Sequence, residues 1–238
     1  MKVISVNDLN FFTTDFYQGS FSRVQKCNYN NMDYACKTFE DLKFLNKRIN
    51  FIQGLSDYNI EGLCFPEALV KDNDIIIGYI TKYINGESIT TLKKADYKTK
   101  YDILMKLKEN IKNMHESGII HGDLHGGNIL IENGIPIIID FDNVTCSFNK
   151  TNIEDTNDLA KEFILKYGVI KELDIHLFNI LTFSIINDCD LMLTRREILK
   201  NNFKYFDNEK AKEICNRLFL DSDKPNNKFL IDEANIKY

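Results

Sequence analysis

No apolar run in this 238-residue chain approaches the length needed to cross a bilayer. The amino end, Met1-Lys-Val-Ile-Ser-Val-Asn-Asp8, reaches polar and acidic residues too soon to hold a secretory apolar core. Both absences argue against an integral membrane segment and favour a cytoplasmic protein, although a secreted effector with an uncleaved signal would carry the same pattern. No two of the six cysteines, at positions 27, 36, 64, 146, 189 and 215, have Cys-x-x-Cys spacing, and no histidine cluster accompanies them. Buried or free thiols are therefore expected in place of zinc ligands or a disulfide framework. An excess of basic charge is missing too: 30 Lys and Arg face 35 Asp and Glu, for a formal net charge of -5. That balance gives no support to nucleic acid or an anionic membrane as a general partner. Neither an internal repeat nor a low-complexity tract is present.

What the chain does contain is an ordinary globular composition, 44% hydrophobic and 27% charged, over a length that suits one domain of two lobes. Strand-like patterns come first. Apolar and polar residues alternate over Phe16 to Val24, Val24 to Tyr29 and Tyr34 to Phe39, with a turn at Asn30-Asn31. Leu42, Leu45, Ile49 and Ile52 then recur at helical spacing within Asp41 to Leu55. Phe65 to Val70 and Ile75 to Ile84 form a further hairpin across Lys71-Asp-Asn-Asp74, and Asn85-Gly86 ends the pattern. The sum is a five-stranded antiparallel sheet with one helix. A second part opens with a helix from Asp96 to Ser117, whose Ile103, Leu104, Leu107, Ile111 and Met114 form one face and whose end is marked by Gly118. Beyond Asp155 the pattern is helical to about Leu220, with Phe163, Ile164, Tyr167, Leu177, Ile180, Leu181 and Ile185 as core candidates. The fold class is α+β.

The stretch His121-Gly-Asp-Leu-His-Gly-Gly-Asn128, followed by Ile137-Ile-Ile-Asp140-Phe-Asp142, carries the most chemistry. Phosphoryl transfer spreads charge over phosphate oxygens, so an enzyme needs chiefly metal ions, fixed cations and a group that orients the attacking hydroxyl. Asp123, on a loop between Ile119-Ile120 and Ile129-Leu-Ile131, is the candidate catalytic base. Asn128 can bring its carboxamide oxygen back beside Asp123 as a metal ligand. Asn133-Gly134 offers a two-residue turn that pairs Ile129 to Ile131 with Pro136 to Ile139 and delivers Asp140 as the second metal ligand. Hard oxygen donors of this kind suit magnesium. His121 is expected to support the loop by backbone hydrogen bonding, Gly126-Gly127 to serve turn geometry, and Asp142 to be a solvated loop residue.

These residues resemble the signature set of the protein-kinase-like superfamily. Tyr34-Ala35-Cys36-Lys37 is similar to the Val-Ala-Ile-Lys strand, which implies that Lys37 is the catalytic cation on the α and β phosphates and that Ala35 contacts adenine. Tyr17-Gln-Gly19-Ser-Phe21-Ser22-Arg-Val24 resembles the glycine-rich loop with Tyr17 and Ser22 in place of the outer glycines, so Gly19, Phe21 and Val24 are expected to bind the nucleotide. Ile80-Thr-Lys-Tyr-Ile84 looks like the hinge, whose backbone at Lys82 and Ile84 would hydrogen-bond adenine. Thr156-Asn-Asp158-Leu-Ala160 is similar to the acidic start of the helix that anchors the catalytic loop. The resemblance implies ATP and Mg2+ as cofactors and one bilobal kinase-like domain over residues 1–238, with an N-lobe at 1–84 and a mainly helical C-lobe at 85–238.

Departures from the pattern narrow the kind of kinase. His125 stands where protein kinases usually have a lysine, and His-Gly-Asp-Leu-His is more like the aminoglycoside and choline phosphotransferases, the lipopolysaccharide core heptose kinases and the RIO group of minimal kinases. The run from Asp140 to Asp158 is short, and no Ala-Pro-Glu signature lies within or after it. A truncated activation segment leaves no room for the usual peptide-docking platform and argues against control by activation-loop phosphorylation. No glutamate presents itself as ion-pair partner of Lys37; Glu40, Asp41, Asp57 and Glu61 are the nearby carboxylates. The expected activity is ATP-dependent transfer of phosphate to a hydroxyl-bearing small molecule or glycan, in preference to a protein serine or threonine. A catalytically silent nucleotide-binding module and an adenylylating enzyme on the same fold are the other readings.

Overall fold

The computed structural model describes residues 1–18, 22–142, 145–146, 158–188, 213, 218 and 224–233. The chain divides into two compact units, Met1–Asn85 with Ile139–Asp142, and Gly86–Ile138 with Asn143–Tyr238.

The first unit is built on a six-stranded sheet. Its strands are β1 (Lys2–Ser5), β2 (Asn10–Gln18), β3 (Ser22–Tyr29), β4 (Met32–Phe39), β5 (Pro66–Asp72) and β6 (Ile75–Lys82), in the order β1-β5-β6-β4-β3-β2. Asn30 and Asn31, at φ 50° and 62°, make the tight turn between β3 and β4 that asparagine tolerates. Alternation along the strands feeds two cores. Ile4, Cys27, Tyr34, Cys36, Val70 and Ile80 fill one side, while Phe39, Leu69 and Tyr79 pack on the other against Leu45 and Ile52. Those last two come from helices α1 (Leu42–Asn46) and α2 (Ile49–Leu55).

The sheet has one strand more than the pattern predicts, and the added β1 runs parallel to β5, from Lys2 opposite Ala68 to Ser5 opposite Lys71. Four residues with a single buried side chain, Ile4, are too few for alternation to register. β2 also begins earlier than expected, at Asn10, and Ser22 to Val24 belongs to β3. The single predicted helix is two short ones. The Arg48 guanidinium lies over the Phe44 ring and donates to the Phe44 carbonyl at 3.2 Å, the acceptor that an unbroken helix would give to the Arg48 N–H.

The second unit contains β7 (Glu87–Ser88), α3 (Tyr97–Glu116), β8 (Ile119–Ile120), β9 (Ile129–Glu132), β10 (Ile135–Ile138), β11 (Thr145–Cys146), α4 (Asp158–Tyr167) and α5 (Glu172–Ile186). Asp96 caps α3 by accepting the Thr99 N–H at 3.0 Å, and Gly118, at φ 76°, follows its end. Asn133 and Gly134, at φ 52° and 74°, form the expected turn between β9 and β10, which pair from Ile135 opposite Glu132 to Ile138 opposite Ile129. The two-residue β7 adds to the free side of β9, and β11 pairs with β8. α5 is buried almost all round, through Leu173, Leu177, Phe178, Leu181 and Ile185 among others, and so is the central helix of this unit. Phe163 and Ile164 of α4 are buried as the pattern predicts, whereas Tyr167 and Ile180 are half-buried. The helical pattern predicted over 189–212 lies outside the described residues. Cys27, Cys36 and Cys64 are buried free thiols. Among the described residues no helix is long and apolar enough to cross a membrane.

His176 of α5 stacks against Phe163, with ring centroids 5.1 Å apart, and burial lowers its imidazolium to about 4. An unfolded chain takes up that proton near pH 6.5, so the stabilisation is complete above pH 6.5 and is lost as the pH falls toward 4, up to about 3 kcal/mol. The melting temperature of His176→Phe is therefore expected to fall less between pH 7 and pH 4.5 than that of the wild type. Parallel falls would contradict the assignment.

Candidate active site

In the first unit Lys37 lies on β4, with Val24 of β3 and Tyr79 of β6 as its cross-strand partners. These three side chains and Ala35 therefore share one face of the sheet. Gly78 is fixed by the same pairing, because a Cβ there would collide with the carbonyl oxygen of Lys37. Lys37 is only 9% exposed, and a buried ammonium requires counter-charge. Two carboxylates of the segment Ile139–Asp142 provide it. Lys37 Nζ donates to Asp140 Oδ1 at 2.5 Å and lies 3.0 Å from Asp142 Oδ2. The fully buried Phe141 between them packs on Phe65, with ring centroids 4.5 Å apart. Asp140 adopts φ 67°, a left-handed conformation that costs a residue with a Cβ about 1–2 kcal/mol.

Burial alone would lower the Lys37 ammonium, but the charges of Asp142 and then Asp140 outweigh it and hold the group above its ordinary value. Burial and repulsion from Asp140 raise the Asp142 carboxyl, and the Lys37 ammonium beside it opposes that rise and favours the ionised form. Tyr79 is buried beside both, and its phenol is pushed well above the usual range, first by burial and then by the two carboxylates. It stays protonated at neutral pH.

In the second unit the loop after β8 is hung on one buried carboxylate. Asp174 of α5 accepts the backbone N–H of His121 at 2.8 Å and of Gly122 at 2.7 Å, and lies 2.9 Å from Nε2 of His115. Gly122 meets it from φ 76°, which a side chain would disfavour. His121 is fully buried and its Nδ1 accepts the Asp123 N–H at 3.3 Å. Asn128 Nδ2 then donates to the Asp123 carbonyl at 3.0 Å and to Asp123 Oδ2 at 3.3 Å. With its nitrogen turned to Asp123, the amide keeps its oxygen for a cation. His125 Nδ1 accepts the Gly127 N–H at 3.0 Å, so a neutral ring carries its proton on Nε2, which lies 3.7 Å from Asp123 Oδ2.

Within the first unit, Val24, Ala35 and Lys37 are thus neighbours and Asp140 is paired to the lysine, while in the second unit Asp123 and Asn128 are hydrogen-bonded to each other. Lys82 ends β6 with its carbonyl accepting the Cys64 thiol at 3.5 Å, and buried Ile84 follows two residues later. Gly19 and Phe21 lie outside the described residues, as does most of the short run between Asp142 and Asp158. One expectation is corrected. Asp142 is not a solvated loop residue but is 2% exposed and paired with Lys37. The ion pair of Lys37, which the sequence leaves unassigned, is made with these two aspartates. The loop is held by Asp174 of α5; Thr156, Asn157 and the Asp158 side chain, read from the sequence as an anchor, lie outside what the structure describes. The available signal for Asp174 was a lone carboxylate inside the apolar stretch from Leu173 to Ile175. Among the described residues no cluster of three or more His, Cys, Asp or Glu side chains could hold a metal alone. Asp140 and the Asn128 amide are each hard oxygen donors of the kind magnesium accepts when phosphates and water complete its shell.

A profile of the RIO domain matches residues 21–154, more than half of the chain. The meiosis-specific serine/threonine-protein kinase mek1 of Schizosaccharomyces pombe is 31% identical over 131 residues, covering 48% of this chain and 27% of its own length. The EKC/KEOPS complex subunit BUD32 of Yarrowia lipolytica is 36% identical over 56 residues, 24% of this chain and 23% of its own length. Serine/threonine-protein kinase D of Synechocystis is 26% identical over 101 residues, 42% of this chain and 20% of its own length. The chain thus spans about a quarter or less of each of these relatives.

Asp174→Ala removes the acceptor of two buried backbone N–H groups and the partner of His115. Unfolding by denaturant is expected to show a loss of about 3 kcal/mol or more; a loss below about 1 kcal/mol, the worth of one ordinary hydrogen bond, would contradict the anchoring role.

Proposed function

The chain belongs to the RIO domain family of protein-kinase-like proteins, and from that premise we propose that it is an ATP-dependent kinase acting on serine or threonine hydroxyls of proteins. The observation that carries the proposal is Lys37 held by the Ile139–Asp142 segment, both within the stretch matched by the RIO domain. The names of mek1 and kinase D support a protein acceptor for this chain. No comparison supports the sugar or small alcohol favoured from His125 and the short segment after Asp140; one side chain beside a candidate base discriminates poorly between acceptors that present the same hydroxyl.

In this proposal residues 1–238 act as one kinase-like domain, with Val24, Ala35, Lys82 and Ile84 contacting the nucleotide and Gly19 and Phe21 covering it. Magnesium, held by Asp140 and the amide oxygen of Asn128, would neutralise charge on the phosphates and fix their orientation. Lys37 adds a second positive charge to the phosphates from a face where burial keeps it from water. Asp123, steered by the Asn128 amide and the His121 ring, orients the acceptor hydroxyl and takes its proton as the oxygen–phosphorus bond forms and the bond from the γ-phosphorus to the bridging oxygen breaks, releasing ADP. His125 offers its Nε2–H beside Asp123 and supports the carboxylate in that orientation.

Incubation of the purified protein with γ-labelled ATP and a lysate divided into protein, glycan and small-molecule fractions tests the reading. Label is expected in the protein fraction on serine or threonine. Asp123→Asn is expected to lower transfer by about 100-fold or more while magnesium-dependent binding of ATP persists. Label confined to glycans or small molecules would overturn the acceptor, and full transfer by Asp123→Asn would remove Asp123 from the mechanism. Stabilisation by ATP with no turnover would identify a nucleotide-binding module instead.

A further inference from the structure

In protein kinases the nucleotide-binding lysine is positioned by a glutamate carried on a helix of the same lobe. Among the described residues neither helix of the first unit carries one. α1 reads Leu-Lys-Phe-Leu-Asn and α2 reads Ile-Asn-Phe-Ile-Gln-Gly-Leu, without a single carboxylate. The nearest flanking ones are engaged elsewhere: Glu40 accepts from Gln18 Nε2 at 2.9 Å, and Asp41 caps α1 by accepting the Lys43 N–H at 2.8 Å.

The two carboxylates that do meet Lys37 differ in kind. The Asp142 side chain is 2% exposed and that of Asp140 is 30% exposed. Asp142 touches Lys37 through Oδ2, while its buried Oδ1 has no hydrogen-bond partner. A buried carboxylate satisfied on one side alone is tolerable only beside a fixed cation, so Asp142 depends on Lys37 as much as Lys37 on it. Asp140 is the more exposed of the two and shares the lysine with Asp142, so a cation can take it over without leaving Lys37 uncompensated.

We propose that Asp142 is the fixed counter-charge that positions Lys37, in place of the helix-borne glutamate, and that Asp140 is the partner the lysine gives up when magnesium and ATP bind. The inference rests on the reading of Lys37 and Asp140 as the nucleotide-binding pair. Asp142 acts on the reaction through Lys37 and is a positioning residue, not a catalytic one.

The test has two arms. In nucleotide-free protein, thermal melting of Lys37→Met, Asp142→Leu and the double variant forms a mutant cycle. Lys37→Met strands a buried charge, and adding Asp142→Leu is expected to raise its melting temperature by about 5 °C. If Asp142→Leu lowers the melting temperature equally in the wild type and in Lys37→Met, the pairing is overturned. In the second arm, Asp142→Asn leaves Asp140 as the sole counter-charge to Lys37, and magnesium must then compete with the lysine for it. The magnesium concentration for half-maximal ATP turnover is expected to rise about ten-fold or more, with a smaller change at saturating magnesium and partial rescue by Asp142→Glu. An unchanged magnesium requirement would overturn the proposal. A wild-type protein that neither binds nor turns over ATP would defeat the kinase reading itself, and the melting cycle would still decide the role of Asp142.

Discussion

One ammonium group organises the first unit. Lys37 sits on a central strand whose neighbours on both sides are hydrogen-bonded, so its charge cannot escape to the edge of the sheet. A cation in that position is tolerable only if carboxylates come to it. None is offered by the strands beside it or by the two helices that cover this face. The segment Ile139–Asp142 supplies them, and it is the one stretch beyond Asn85 that groups with the first unit. Phe141 packs the segment against Phe65 with apolar burial, while Asp140 and Asp142 close the charge. The ion pairs and the hydrophobic contact thus fix the same four residues for independent reasons, which is how a short segment acquires a single conformation.

The second unit solves the opposite problem by similar means. The Asp174 carboxylate is fully buried there, and the loop His121 to Asn128 folds against it because the backbone N–H groups of His121 and Gly122 join His115 Nε2 in surrounding it. Order then passes along the loop in steps: His121 holds the Asp123 N–H, and Asn128 holds the Asp123 side chain and carbonyl. The Asp123 carboxylate, the proposed base, is thereby set by hydrogen bonds that lead back to the central helix α5, not by the loop alone. In each unit the residue with the most chemical promise is supported by a fully buried partner that itself has no contact with substrate in the proposed mechanism.

What could be read from the chain before its structure follows the range of the signals. The β9–β10 hairpin was legible because Asn133-Gly134 demands one turn type, and α3 because Asp96, its apolar stripe and Gly118 agree with one another. Lys37, Asp123, Asn128 and Asp140 stand out in the chain because their order and spacing match a kinase-like set. β1 was not, since four residues paired in parallel with a distant strand leave no periodic trace. The break between α1 and α2 turns on Arg48 taking the Phe44 carbonyl, a competition that helical spacing does not reveal. Asp142 and Asp174 were misread or missed for one shared reason. Each is a carboxylate whose role is set by burial, and burial of a charge is decided by a partner far away in the chain: Lys37 for the first, the His121 loop for the second.

In this kinase-like chain the lysine proposed to bind the nucleotide is held by the aspartate two residues after the proposed metal ligand. The most direct test is a crystal structure with a non-hydrolysable ATP analogue and magnesium. Lys37 is expected on the nucleotide's phosphates with Asp142 still beside it, and Asp140 on the metal together with the Asn128 amide oxygen. A lysine that has left Asp142 for another carboxylate, or a nucleotide bound away from Lys37, would contradict the account.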